Sequence, residues 1–132
     1  MEKAITLGEK PLTIEDVVSV ARHFTEVKLS QKIMTKVKKS REIVDTFVKE
    51  NKVVYGLTTG FGEFKNVVIP QDKTEKLQEN LITSHAVGVG EPFPEEVVRA
   101  AMLIRVNSLS QGNSGVRPIV IETLAEMINK KV

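Results

Sequence analysis

The sequence predicts a mainly α chain, and three observations carry that prediction. Apolar residues recur at three- and four-residue spacing in five separate segments. Proline, glycine and capping residues fall at the borders of those segments. The alternating stretch at the N-terminus is only a few residues long. Taken in order, Lys3-Ala4-Ile5-Thr6-Leu7 alternates and stops at Gly8, which predicts a short strand. Thr13 then caps a first helix, with Asp16 three residues on in a capping-box arrangement and Val17, Val18, Val20 and Ala21 following; it should end near His23. Val27-Lys28-Leu29 reads as a short extended connector. Ser30 caps a long helix whose apolar stripe is Ile33, Val37, Ile43, Val44, Phe47 and Val48.

The next stretch, residues 51–64, carries three glycines within seven residues (Gly56, Gly60, Gly62) and is a loop. Residues 72–86 return to helical spacing with Leu77, Leu81 and Ile82 on one face, and Gly88-Val89-Gly90 with Pro92 stop them. Pro94-Glu95-Glu96 is a good first turn, with acids against the positive end of the helix dipole. It leads into Val97, Val98, Ala101, Met102, Ile104 and Arg105, as far as about Leu109. After the break Gln111-Gly112-Asn113-Ser114-Gly115, a last helix from about Pro118 carries Val120, Ile121, Leu124, Met127 and Ile128. It ends at Lys130-Lys131-Val132 without a stop signal, and the natural polypeptide is expected to continue. Met34, Met102 and Met127 sit at helical positions and read as core gap-fillers.

Composition narrows the chemistry. At 132 residues the chain is of single-domain length, and 41% hydrophobic with 27% charged residues is ordinary for a globular protein. With no cysteine, a disulfide framework, thiolate-bound zinc, iron–sulfur clusters and thiol nucleophiles are excluded. No apolar run approaches the ~18 residues of a spanning helix and the N-terminus lacks a secretory layout, so a cytoplasmic location without membrane attachment is expected. The net charge of +2 does not argue for a polyanion partner. One basic stripe, eight Lys/Arg against three acids over residues 28–52, lacks interleaved aromatics apart from Phe47 and reads as a solvated helix face; no nucleic-acid partner is expected.

The two glycine-rich breaks hold polar and aromatic residues with no obvious packing purpose. Tyr55, the one tyrosine, enters a segment containing Gly60-Phe61-Gly62, a backbone able to close over a ligand and open again. Its residue type leaves two readings open: a half-buried aromatic with its hydroxyl in water, or a general base, which requires the phenol to be held ionised by positive charge or donated hydrogen bonds. His85 precedes Val87-Gly88-Val89-Gly90, which lets a ligand approach its ring, whereas His23 reads as a cation at a helix C-terminus. Two histidines without acids at ligand spacing make a poor metal site, and no metal is expected. Gly88-Val89-Gly90 follows a helix and lacks a third glycine, so it is no phosphate cradle, and Asn113-Ser114-Gly115 has no local base.

The strings Tyr55-Gly56-Leu57-Thr58-Thr59-Gly60-Phe61-Gly62 and Leu77 through Ser84-His85-Ala86-Val87-Gly88-Val89-Gly90, then Arg99 to Arg105 and Gly112-Asn113-Ser114-Gly115-Val116-Arg117, resemble the aromatic amino-acid ammonia-lyases in the same order along nearly the whole chain. Within that family the likeness is to the branch acting on histidine. The resemblance implies the helical N-terminal part of an ammonia-lyase (aspartase/fumarase-like) fold, 1–132 being one N-terminal region of a longer homotetrameric enzyme with a lid loop at about 53–66. It implies elimination of ammonia from histidine to give urocanate, using a methylidene-imidazolone (MIO) electrophile that forms from an Ala-Ser-Gly triad of the same polypeptide. That triad is absent from these residues. Asn113-Ser114-Gly115 matches a separate element upstream of it, so the chain alone is expected to be inactive. By the same likeness Tyr55 is the lid base, Gly60, Phe61 and Gly62 belong to the closing lid, and His85 contacts the substrate side chain. Thr58 departs from the pattern, many relatives carrying Asn there. The alternatives are a tyrosine-acting lyase or aminomutase, or a helical interaction module without chemistry.

Overall fold

A computed structural model describes residues 4–60, 62, 70 and 73–132. Two short strands, β1 (Ile5–Leu7) and β2 (Val27–Leu29), accompany five helices: α1 (Ile14–His23), α2 (Gln31–Lys49), α3 (Thr74–His85), α4 (Glu95–Leu109) and α5 (Pro118–Lys130). The mainly helical expectation holds. The described residues form two compact units, one of Met1–Ile43 with Pro92–Val132 and one of Val44–Glu91.

In the first unit the expected connector 27–29 is a strand. It pairs in parallel with β1, Ile5 opposite Val27 and Leu7 opposite Leu29, so that the crossover between them is α1. The capping box forms as the sequence indicates: the Asp16 amide donates to Thr13 Oγ1 at 3.2 Å and the Thr13 amide donates to Asp16 Oδ2 at 3.1 Å. That backbone donor, joined by the Lys10 ammonium 3.1 Å away, holds the Asp16 carboxyl below its usual pKa. Phe24 ends α1 in the left-handed region at φ 57°. Gly8 turns the chain at φ 88°, where an added Cβ would lie 2.6 Å from both Ile33 Cγ1 and Ser30 Oγ. Gly8→Ala should therefore combine left-handed strain with overpacking and lower stability by about 3 kcal/mol. A urea-unfolding midpoint equal to that of the parent chain would rule out this close packing.

The core of this unit gathers Ile5, Leu7, Val20, Val27, Ile33, Val37, Leu103, Val106, Ile121 and Ile128. α4 packs against both α1 and α5, and α5 against β2. The expected face of α4 is corrected here. Its buried residues are Arg99, Leu103 and Val106, spaced i, i+4, i+7, whereas Val97, Val98 and Ile104 face outward. α5 repeats the spacing with Ile121, Ala125 and Ile128. The stripe of α2 is corrected too: Ile33 and Val37 reach the core, but Ile43 is exposed. The second glycine-rich break has a packing purpose after all. Gly112 takes φ 74° with its Cα turned onto Lys36, whose Cβ a methyl would meet at 3.1 Å, and the Gly115 amide donates to Ser40 Oγ at 3.0 Å. α5 also closes without a glycine, Lys131 adopting φ 59° while the Val132 amide donates to Met127 O.

Arg99 is the unusual core member, 4% exposed. Its Nε and Nη2 donate to Val20 O at 3.2 and 3.0 Å, and Nη1 donates to Ile128 O at 2.8 Å. Both carbonyls belong to the last turns of helices, α1 and α5, where the regular i+4 donors run out; Ile128 O also accepts from the Lys131 amide at 3.4 Å. One guanidinium thus caps two helices, and it also stacks over the Phe24 ring at 4.5 Å.

The second unit holds the end of α2, a turn and α3. α2 closes at Asn51 (φ 51°), with the Lys52 amide donating to Phe47 O and the Asn51 amide to Val48 O, the bond pair that ends helices through a left-handed residue. The apolar face expected on α3 is only half covered, since Leu77 and Leu81 are half-buried and Ile82 is exposed. No helix among the described residues is long and apolar enough to cross a membrane.

Candidate functional site

Tyr55 begins the turn of residues 55–58, and its side chain is 63% exposed. The turn is held by its own polar groups. The Leu57 and Thr58 amides donate to Val54 O at 3.1 and 3.0 Å. Thr58 Oγ1 donates to Lys52 O at 2.5 Å and accepts from the Val54 amide at 2.9 Å. Thr59, buried, donates from Oγ1 to Gly60 O at 3.0 Å and accepts from the Gly56 amide at 3.3 Å. Of the other lid residues, Gly60 is buried, Gly62 stands at φ 59° with open space where a side chain would go, and Phe61 lies outside the described residues.

His85 is the last residue of α3 and is exposed. Its Nδ1 lies 2.9 Å from Leu81 O and 3.0 Å from Ser84 Oγ, and the Ser84 hydroxyl in turn donates to Leu81 O. A carbonyl oxygen only accepts, so Nδ1 carries the proton. In the neutral ring Nε2 is then an acceptor, available to a donor brought by a ligand. Tyr55 and His85 sit on separate elements of one unit, and the polar contacts of the His85 ring are with its own helix. Among the described residues no group of three or more His, Asp or Glu is gathered for a metal ion.

The ties made by the Thr58 and Thr59 hydroxyls and the burial of Arg99 emerge only from the three-dimensional arrangement. Arg99 is selected by carbonyls of other helices, which spacing along α4 does not reveal, and for the threonines no periodic signal exists, because their partners are backbone atoms of an irregular turn.

The chain belongs to the aromatic amino acid lyase family, whose family model matches residues 12–132. Over 130 residues it is 58% identical to the histidine ammonia-lyase of Caldanaerobacter subterraneus subsp. tengcongensis, a match covering 98% of this chain and 26% of that one. Among solved structures, a tyrosine aminomutase from Streptomyces globisporus is similar at TM-score 0.91 and 37% identity, covering 98% of this chain and 25% of that chain. The histidine ammonia-lyase from Trypanosoma cruzi follows at TM-score 0.86 and 30% identity, covering 96% and 24%. The chain therefore spans about a quarter of the length of the relatives it matches.

Proposed function

We propose that these residues are the N-terminal part of a histidine ammonia-lyase, which eliminates ammonia from L-histidine to give trans-urocanate. The observation that carries this reading is the likeness along nearly the whole chain to bacterial enzymes of that name, 58% identical in the Caldanaerobacter case and 52% in that of Alkaliphilus oremlandii. In this reading Tyr55 takes a proton from the β-carbon, the C–H electrons form the Cα–Cβ double bond, and the amine leaves. His85 sets the choice of side chain: an Nε2 acceptor pairs with the ring N–H of histidine, and equally with a tyrosine hydroxyl, but finds no partner on phenylalanine. The MIO electrophile of the family derives from Ala-Ser-Gly, which these residues do not contain, so they do not by themselves furnish the acceptor for the amine. Histidine degradation in the cytoplasm is the setting the reading implies.

The test is urocanate absorbance with the full-length enzyme carrying these residues. A rise with L-histidine supports the proposal. No rise with histidine, together with coumarate formed from tyrosine, overturns it in favour of the tyrosine-acting alternative. His85→Phe in that enzyme should shift preference toward phenylalanine by about tenfold or more in the ratio of kcat/KM values, because a ring-nitrogen acceptor is no longer left unpaired against an apolar ring. Unchanged selectivity removes the selector role.

The same reading places the chain in a homo-oligomer. Exposed Ile82, Val87, Val89, Phe93, Val97 and Ile104 leave apolar surface for further protein to cover, whether later parts of the same polypeptide or a second copy. Sedimentation of the isolated chain is expected to reveal concentration-dependent association, and a stable monomer at all concentrations would contradict it.

A further inference from the structure

We infer that Thr58 and Thr59 are positioning residues for the Tyr55 phenol, an inference that rests on the reading of Tyr55 as base. The amide groups on the two sides of Tyr55, those of Val54 and Gly56, are taken by side-chain hydroxyls: Val54 N–H by Thr58 Oγ1 at 2.9 Å and Gly56 N–H by Thr59 Oγ1 at 3.3 Å. Each hydroxyl spends its one proton on a further backbone carbonyl, Lys52 O for Thr58 and Gly60 O for Thr59. One threonine therefore fixes the chain entering Tyr55, and the other fixes the chain leaving it. The division of roles follows burial: Thr59 is 1% exposed while Tyr55 is 63% exposed. The turn is internally cross-tied and projects the phenol outward. A side chain that must meet a β-carbon within a few tenths of an ångström needs its Cα–Cβ direction set in advance, and misplacement by about 1 Å costs on the order of 100-fold in rate.

The chemistry at position 58 also accounts for the departure noted in the sequence. An asparagine carboxamide can accept from Val54 N–H through its oxygen and donate to Lys52 O through its nitrogen, the same two bonds that the Thr58 hydroxyl makes. Valine has the shape of threonine and makes neither.

The experiment is a mutant cycle in the full-length enzyme. Thr58→Val and Thr59→Val, each alone and combined with Tyr55→Phe, are assayed for urocanate formation, with Thr58→Asn, Thr58→Ser and Thr59→Ser as conservative variants. Each valine variant should lower kcat by about 10- to 100-fold with KM within about twofold, and the conservative variants should recover most of the rate. In the Tyr55→Phe background the same valine substitutions should change the residual rate by less than about twofold, because residues acting through one group are not additive. Equal losses in both backgrounds overturn the inference, since the threonines then act on the fold or the substrate without regard to the phenol. Unchanged kcat in both valine variants overturns it as well. Should buried Thr59→Val fail to fold, the half-buried Thr58 decides the matter alone through its Val and Asn variants. Full activity of Tyr55→Phe itself overturns the base reading and this inference together, whereas a slow Tyr55→Phe with additive threonine losses overturns the positioning role only.

Discussion

Tyr55→Phe in the full-length lyase is expected to lower kcat by about 100- to 10,000-fold while leaving KM and the thermal midpoint close to those of the parent enzyme. The three parts of this expectation have separate physical grounds. The rate falls because the substitution deletes the oxygen to which the proposed function assigns the β-proton. KM holds because, in the proposed reading, binding selectivity rests with His85 and with contacts outside these residues. Stability holds because Tyr55 is 63% exposed and the Thr58 and Thr59 hydroxyls that tie the turn beneath it are untouched by the substitution. Steady-state urocanate formation and a circular-dichroism melt, run on the same preparation, check all three. Turnover within a few-fold of the parent enzyme would remove the phenol as base, and a collapse of the melting transition would recast Tyr55 as a structural residue.

Arg99→Met should destabilise the chain by about 3–5 kcal/mol, the largest loss expected from any single core position. Methionine fills much of the arginine stem's volume, so the deficit comes from the polar end. Val20 O and Ile128 O lose a shared donor in a region that excludes water. Arg99→Lys retains the charge but cannot span both carbonyls with a planar fork, and is expected to recover less than half of the loss. Urea unfolding followed by far-UV circular dichroism measures both variants. A lysine variant as stable as the parent would mean that charge alone suffices and that capping two helices by one group does not matter.

Most of the architecture was legible because helices announce themselves through spacing and borders. The Thr13–Asp16 capping box, the start of α4 at the Pro94-Glu95-Glu96 turn and the end of α1 at His23 all stand where local chemistry indicated. What was not legible depended on partners distant in sequence. The choice of Arg99, Leu103 and Val106 over Val97, Val98 and Ile104 as the inner face of α4 is made by the carbonyls of α1 and α5, which no window on α4 contains. The pairing of Val27-Lys28-Leu29 with β1 across an entire helix is of the same kind. At the candidate site Tyr55 and His85 could be singled out by residue type and glycine context, and the motif likeness gave them roles. The hydroxyl ties at Thr58 and Thr59 could not be read, since they depend on the path of an irregular backbone. The tautomer of His85 likewise required the distance to Leu81 O.

Asn129 covers part of the open edge of the β1–β2 ribbon. Its carboxamide accepts from the Val27 amide and donates to the Val27 carbonyl, both at 2.9 Å, on the side of β2 that faces away from β1. A side chain here imitates a neighbouring peptide unit, so a ribbon of only two strands offers no vacant rung at Val27 to a foreign chain. Replacing it with leucine would unmask that rung, and the cost would be paid less in the native fold than in intermolecular strand pairing, visible as thioflavin-positive aggregates during refolding.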